Sequence, residues 1–198
     1  MKTQHILNRA RRGLTLTLAV LALAGGTLHA ADYRLEKHRI EWSGSMPAKT
    51  HTGLLTPQSF KVSITDEGMV ESLDIDLDMT SIDVTDLEGK NRDKLIKHLS
   101  SEDFFFVEKY PVSSFQLEQY ADGLLHGTIT IRGVAKHMAI PVKVKGNSAD
   151  GWVLSGRFTF NRQDFNVNYQ NGGLFGVAKD KIIRDEVELN IELKVKKA

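Results

Sequence analysis

The sequence predicts an all-β fold, a barrel or a sandwich, and three observations carry that expectation. Leu73, Ile75, Leu77 and Met79 alternate with Asp74, Asp76 and Asp78, and Val187, Leu189, Ile191, Leu193 and Val195 alternate with Glu186, Glu188, Asn190, Glu192 and Lys194. A period of two this strict means one dry face and one wet face. Further runs of the same kind recur at regular spacing with turn residues between them, the pattern of an all-β domain. Only one stretch, Asp93 to Leu99, carries helical spacing, with apolar Leu95, Ile96 and Leu99.

The chain opens with a segment to be set aside from the fold. Lys2, Arg9, Arg11 and Arg12 precede an apolar run from Leu14 to Ala24, and Ala30 and Ala31 offer a cleavage site. The run is well short of the roughly 20 residues of a bilayer span, so residues 1–30 read as a secretory signal peptide and residues 31–198 as one domain. Cleavage is expected after Ala30, with Ala31 the second choice. The 26 basic residues then fall to 22 against 25 acidic ones. A net charge of −3 gives no support for nucleic acid or an anionic membrane surface as partner. There is no cysteine, so packing and strand pairing alone must hold the exported domain.

From Tyr33 onward the strands follow in order. Glu41 to Gly44 ends the first; Phe60, Val62 and Ile64 share a face of the second; Asp66, Glu67 and Gly68 form a turn before the Leu73–Met79 strand. Three aspartates on that strand's wet face do not read as a calcium site. Alternate strand residues stand about 7 Å apart and point into water, with no glycine loop to fold them round an ion. After the short helix come Phe104, Phe105 and Phe106, an aromatic anchor for holding it against the strands. Tyr110 and Pro111 mark entry to the next strand. Phe115 and Leu117, then Ile129 and Ile131, then Ile140, Val142 and Val144, then Trp152, Leu154, Phe158 and Phe160 continue the apolar faces, with turns at Tyr120–Gly123, Arg132–Gly133 and Gly146–Gly151. Gly156 marks a bulge or a barrel bend. Residues 161–181, rich in Asn and Gly with Phe165, Tyr169, Leu174 and Phe175 interspersed, are expected to fold over one end.

Four segments in order resemble the YceI family of periplasmic, lipocalin-like isoprenoid-binding proteins. They are Arg92-Asp93 through Leu99, Asp103-Phe104-Phe105 and Lys109-Tyr110-Pro111; Gly127 to Lys136, similar to a G-x-L-T-I-R-G-V-T-K strand pair; Phe160 to Phe165, similar to R-x-D-F-G; and Asp185 to Leu189. The resemblance implies an eight-stranded antiparallel lipocalin-like barrel with one or two short helices, located in the periplasm. It also implies a long-chain isoprenoid or quinone-like lipid in an apolar tunnel, serving transport, storage or stress protection, and by analogy a homodimer. Transient membrane contact is part of that expectation, and nucleic acid is not.

The candidate tunnel wall is Leu73, Ile75, Leu77, Phe115, Ile129, Val142, Phe158 and Phe160, with Leu189 on the same faces. The same residues also suit a filled core, and alternation alone does not separate the two. Each buried methylene contributes roughly 0.8 kcal/mol, so chain length alone can supply affinity. Trp42, His51, Phe165 and Phe175 are candidates for the mouth: Trp42, Gly44, His51 and Gly53 resemble a family subgroup reading W-x-G followed by H-x-G, and Phe165 and Phe175 belong to the 161–181 segment expected to fold over one end. For His51 a hydrogen-bonded structural role is the competing reading. No catalytic residue, cofactor or metal is expected. His38, His51, His98, His126 and His137 form no short-spaced pair, there is no G-x-S-x-G, and Arg92 and Asp93 read as helix-entry charges. Gly172, Gly173 and Gly176 lack the strand, helix and lysine of a phosphate cradle. The alternatives are a structural or interaction barrel that binds no lipid, or an isomerase-type enzyme acting in the cavity.

Overall fold

The computed structural model describes residues 30–171 and 182–198. The eight strands are β1 (Ala30–Met46), β2 (Lys49–Thr65), β3 (Val70–Asp78), β4 (Val112–Ala121), β5 (Leu124–Ile131), β6 (Val134–Asn147), β7 (Gly151–Asn161) and β8 (Glu186–Lys197). Each pairs antiparallel with the next, and β8 pairs back onto β1 to close a barrel. Closure removes the free edges that so many strands would otherwise expose. The predicted fold is the one observed.

Turn chemistry sets the short hairpins. Asp122-Gly123 and Arg132-Gly133 both take positive φ at the two central positions, the geometry that matches the twist of the flanking strands. At Pro141 the barrel changes partners: β6 pairs with β5 up to Pro141 and with β7 from Val142, opposite Gly156. A Cβ on Gly156 would lie 2.6 Å from the Pro141 carbonyl oxygen, so the residue read as a bend is where two backbones approach. The first two strands run longer than the sequence suggested, because β1 continues past Gly44 to Met46.

The end of the barrel where β1 begins and β8 ends is sealed by Trp152, which lies over the β2–β3 turn at Gly68. At the other end, β3 runs into a 3₁₀ turn, Met79–Ser81, then an extended strap and the helix α1 (Gly89–Ser100). The helix begins four residues before the expected Asp93. Its first turn has no apolar residue to reveal it, and its N-cap, Glu88, makes no side-chain hydrogen bond. Of the three phenylalanines, Phe104 is buried, Phe105 lines the barrel interior and Phe106 lies beside Tyr110 and Lys109. A second 3₁₀ turn, Arg162–Phe165, leaves β7 at this same end. Two of the three aspartates of β3 have protein partners: Asp76 accepts from the Ser59 hydroxyl at 2.7 Å, and Asp78 caps the 3₁₀ turn through Thr80.

Candidate functional site

Inward-facing residues of all eight strands enclose one apolar cavity of about 160 Å³ along the barrel. It runs from Leu154 and Leu193 near the sealed end to Phe105, Ile183 and Arg184 at the other. All eight residues expected on its wall line it: Leu73, Ile75, Leu77, Phe115, Ile129, Val142, Phe158 and Phe160, as does Leu189. The register explains this, since Ile75 stands opposite Phe115, Phe115 opposite Ile129, and Phe158 opposite Leu189, each pair sharing the inner face. A cavity of this size holds about one benzene-sized molecule, so a long chain must part wall side chains to enter.

Four polar residues also border the cavity: Ser113, Ser114, Arg162 and Arg184. Arg162, the arginine of the segment similar to R-x-D-F-G, was not among the expected site residues and is 1% exposed. Its Nε donates to the Arg184 carbonyl at 3.1 Å, Nη1 to Val167 and Tyr169 at 2.8 and 2.9 Å, and Nη2 to Ile183 at 3.1 Å. Asp185 lies 3.3 Å from Nη2. Burial lowers the Arg162 pKa and Asp185 partly opposes that, yet the group stays protonated in any accessible pH range. Four of its N–H groups are thus bonded to carbonyls on either side of residues 172–181, and Asp185 stands beside Nη2 as a counter-charge. Arg162 therefore holds the two flanks of that segment together.

The expected mouth residues separate. Trp42 lines the cavity, and its Nε1 donates to the Asp83 carbonyl at 3.1 Å. Gly53 lies under it: a Cβ there would sit 1.7 Å from the Asp83 oxygen and 2.5 Å from the indole nitrogen. His51 does not line the cavity. On β2 it points to the strap, with Nδ1 2.7 Å from the Asp86 carboxylate, whose other oxygen accepts from the Thr52 amide at 2.9 Å. Burial raises the Asp86 carboxyl, but the Thr52 amide and the His51 ring together outweigh it and leave the pKa below its ordinary 3.8. Phe165 also lies off the cavity, 1% exposed and edge-on to Phe160 with ring centroids 5.5 Å apart. Phe175 falls outside the described residues.

The strap runs beside β2, with the Asp83 and Thr85 amides donating to the Leu54 and Thr52 carbonyls. Arg92 on α1 reaches back to Asp83 at 2.5 Å, so it fixes the helix to the strap rather than serving as a bare entry charge. His98 packs edge-on to Phe104 and Tyr169, at 4.9 and 4.6 Å. Arg132 donates to the Glu102 carbonyl at 2.8 Å and to that of Asn166. These contacts join helix, strap and the Arg162–Phe165 turn into one cover over the barrel end. Among the described residues, no group of three or more His, Asp or Glu side chains could hold a metal.

A family model, the YceI-like domain, matches residues 27–195. The chain is 30% identical over 160 residues to protein YceI of Escherichia coli O157:H7, covering 70% of this chain and 75% of that protein. Its backbone is similar to the crystal structure of Burkholderia cenocepacia BcnA, with a TM-score of 0.62 at 22% identity over 81% of this chain and 99% of that one. It is also similar to a polyisoprenoid-binding domain from Saccharophagus degradans implicated in plant cell wall breakdown, with a TM-score of 0.62 at 14% identity over 87% and 100%. At these identities the two structures share its fold.

Proposed function

The chain belongs to the YceI family, and from that premise we propose that it is a binding protein that holds a polyisoprenoid or similar long-chain amphiphile, such as a quinone tail, inside the barrel. The observation that carries the reading is the apolar cavity lined from all eight strands. The Saccharophagus domain of the same fold is described as polyisoprenoid-binding, which supports the same ligand class here. Among the described residues the one cation buried at the wall is Arg162, which donates four hydrogen bonds to backbone carbonyls and has Asp185 as its counter-charge. An uncharged chain therefore suits the interior, and a charged headgroup would stay outside. Export by the leader over residues 1–30 places the protein in the periplasm, where transport, storage or stress protection are the roles it would serve. A homodimer remains part of the proposal by family analogy.

The modest cavity volume favours a second reading, a packed barrel that binds no lipid and acts through its surface. Uptake separates the two. Delipidated protein incubated with a long polyprenol retains one chain per barrel if the wall side chains part to admit it, and retains none if the interior is a finished core. An enzyme reading would need a polar cluster in the cavity. The His51–Asp86 pair does not provide one, because it lies off the cavity on the strap.

A further inference from the structure

The outward side chains of β6, β7, β8 and β1 form a basic face that the cavity does not use. The strand register builds it. Lys145 stands opposite Val153, Val153 opposite Lys194, and Lys194 opposite Lys37. One row toward the termini, Lys196 stands opposite Arg34; one row the other way, Lys143, Ser155, Glu192 and Arg39 lie side by side. All seven of these cations are exposed.

Like charges directly opposite on neighbouring strands oppose pairing, and here Lys194–Lys37 and Lys196–Arg34 are such pairs in adjacent rows. Glu36, bulged out of β1, takes Lys194 at 2.8 Å, and Arg39 pairs with Glu41 at 3.3 Å. The Lys194 ammonium, with help from Lys196 and Lys37, holds the Glu36 carboxyl below its ordinary range. Among the described residues, Arg34, Lys37, Lys143, Lys145 and Lys196 form no ion pair. A domain whose charge beyond the leader is negative has thus gathered cations on one wall, while Asp74 and Asp76 face outward from β3 across the barrel.

The face selects its partner by what it lacks. Its lysines are spread over three strands, two on β6, two on β8 and one on β1, with β7 between β6 and β8, and do not converge on one anion. No aromatic side chain stands among them to stack a base. Its one apolar residue, Val153, is no anchor for a protein interface. A diffuse sheet of negative charge needs none of these. We propose that the β6–β7–β8–β1 face docks on an anionic lipid surface. This choice rests on the lipid-holding reading, since a protein that exchanges lipid must meet a bilayer.

The test is sedimentation of the chain from Ala31 onward with vesicles of phosphatidylglycerol mixed equally with phosphatidylcholine, against pure phosphatidylcholine. Binding to the anionic vesicles alone, weakened by salt, is expected. The Lys37→Glu/Lys196→Glu variant should lose at least about tenfold in partitioning. Each substitution replaces a like pair by an opposite pair across the ladder, so its melting temperature should hold or rise. Lys94→Glu/Lys97→Glu on α1 should leave partitioning unchanged. No binding to anionic vesicles at low salt, equal loss from the α1 variant, or binding to DNA but not to vesicles overturns the proposal. Polyprenol retention by the same proteins is read in parallel. Retention without docking overturns the docking face alone, and absence of retention overturns the lipid-holding reading with it.

Discussion

The Trp42 indole donates to the carbonyl of Asp83 across 41 residues of sequence, at 3.1 Å. That bond ties the strap before α1 to the barrel wall. It needs a bare backbone beneath it, which Gly53 supplies.

Gly53→Ala should therefore cost about 3 kcal/mol, at the upper end of what overpacking costs, because the added methyl meets a backbone oxygen that cannot move aside without releasing the strap. Gly44→Ala, which adds a methyl with nothing within 4 Å, should stay within about 0.5 kcal/mol of the parent. Denaturant unfolding of the two variants measures both. Equal costs would show that the strap yields.

Arg162→Met should destabilise by about 3–5 kcal/mol, since it strips four carbonyls of their donors and leaves Asp185 without a nearby cation. Lysine is no rescue, because one ammonium cannot reach both flanks of the segment. Limited proteolysis of Arg162→Lys should cut between residues 166 and 185 well before the parent is cut. Matching digestion rates would contradict the clamp.

The His51–Asp86 contact makes a pH prediction of definite sign. The folded pKa of Asp86 lies below the ordinary 3.8. Its contribution is therefore present above that value and fades as the pH falls through the lower folded value. Asp86→Asn should weaken the protein at neutral pH, and the gap between variant and parent should close under acid. Denaturant midpoints followed from neutral to acid pH check this; a gap that widens in acid would reverse the sign.

These predictions also show which parts of the molecule were legible in the sequence. The wall residues were, because strict alternation assigns Leu73, Ile75, Leu77 and Leu189 to one face whatever their partners. The cover was not. Asp83 and Asp86 act on Trp42 of β1 and His51 of β2, which lie far from them in sequence, and no local pattern announces such pairs. The resemblance points to His51 as a mouth residue and the expected cover over one end points to Phe165, yet one is held by a carboxylate on the strap and the other is packed edge-on against Phe160. Arg162 enters the sequence reading only as part of the Phe160–Phe165 segment, with nothing local to mark it as buried. Its burial follows from the carbonyls that converge on it. The net charge likewise concealed the separation of cations onto one wall, which only the register of β8 against β1 reveals.

Phe158→Asp and Leu77→Asp place a carboxylate in an apolar cavity and should abolish lipid retention, since burying an unpaired charge costs more than several methylene contacts return. Phe158→Leu keeps the wall apolar and should preserve it. Mass analysis of lipid extracted from equal amounts of folded protein reads the difference, and retention that survives either aspartate contradicts the cavity as the binding site.

Native mass spectrometry of the protein purified from its own source, followed by organic extraction, tests the central claim most directly. The account predicts one long-chain isoprenoid or quinone per barrel, released on denaturation. A protein that arrives empty, and takes up no such lipid when offered it, would contradict the account and mark the interior as a finished core.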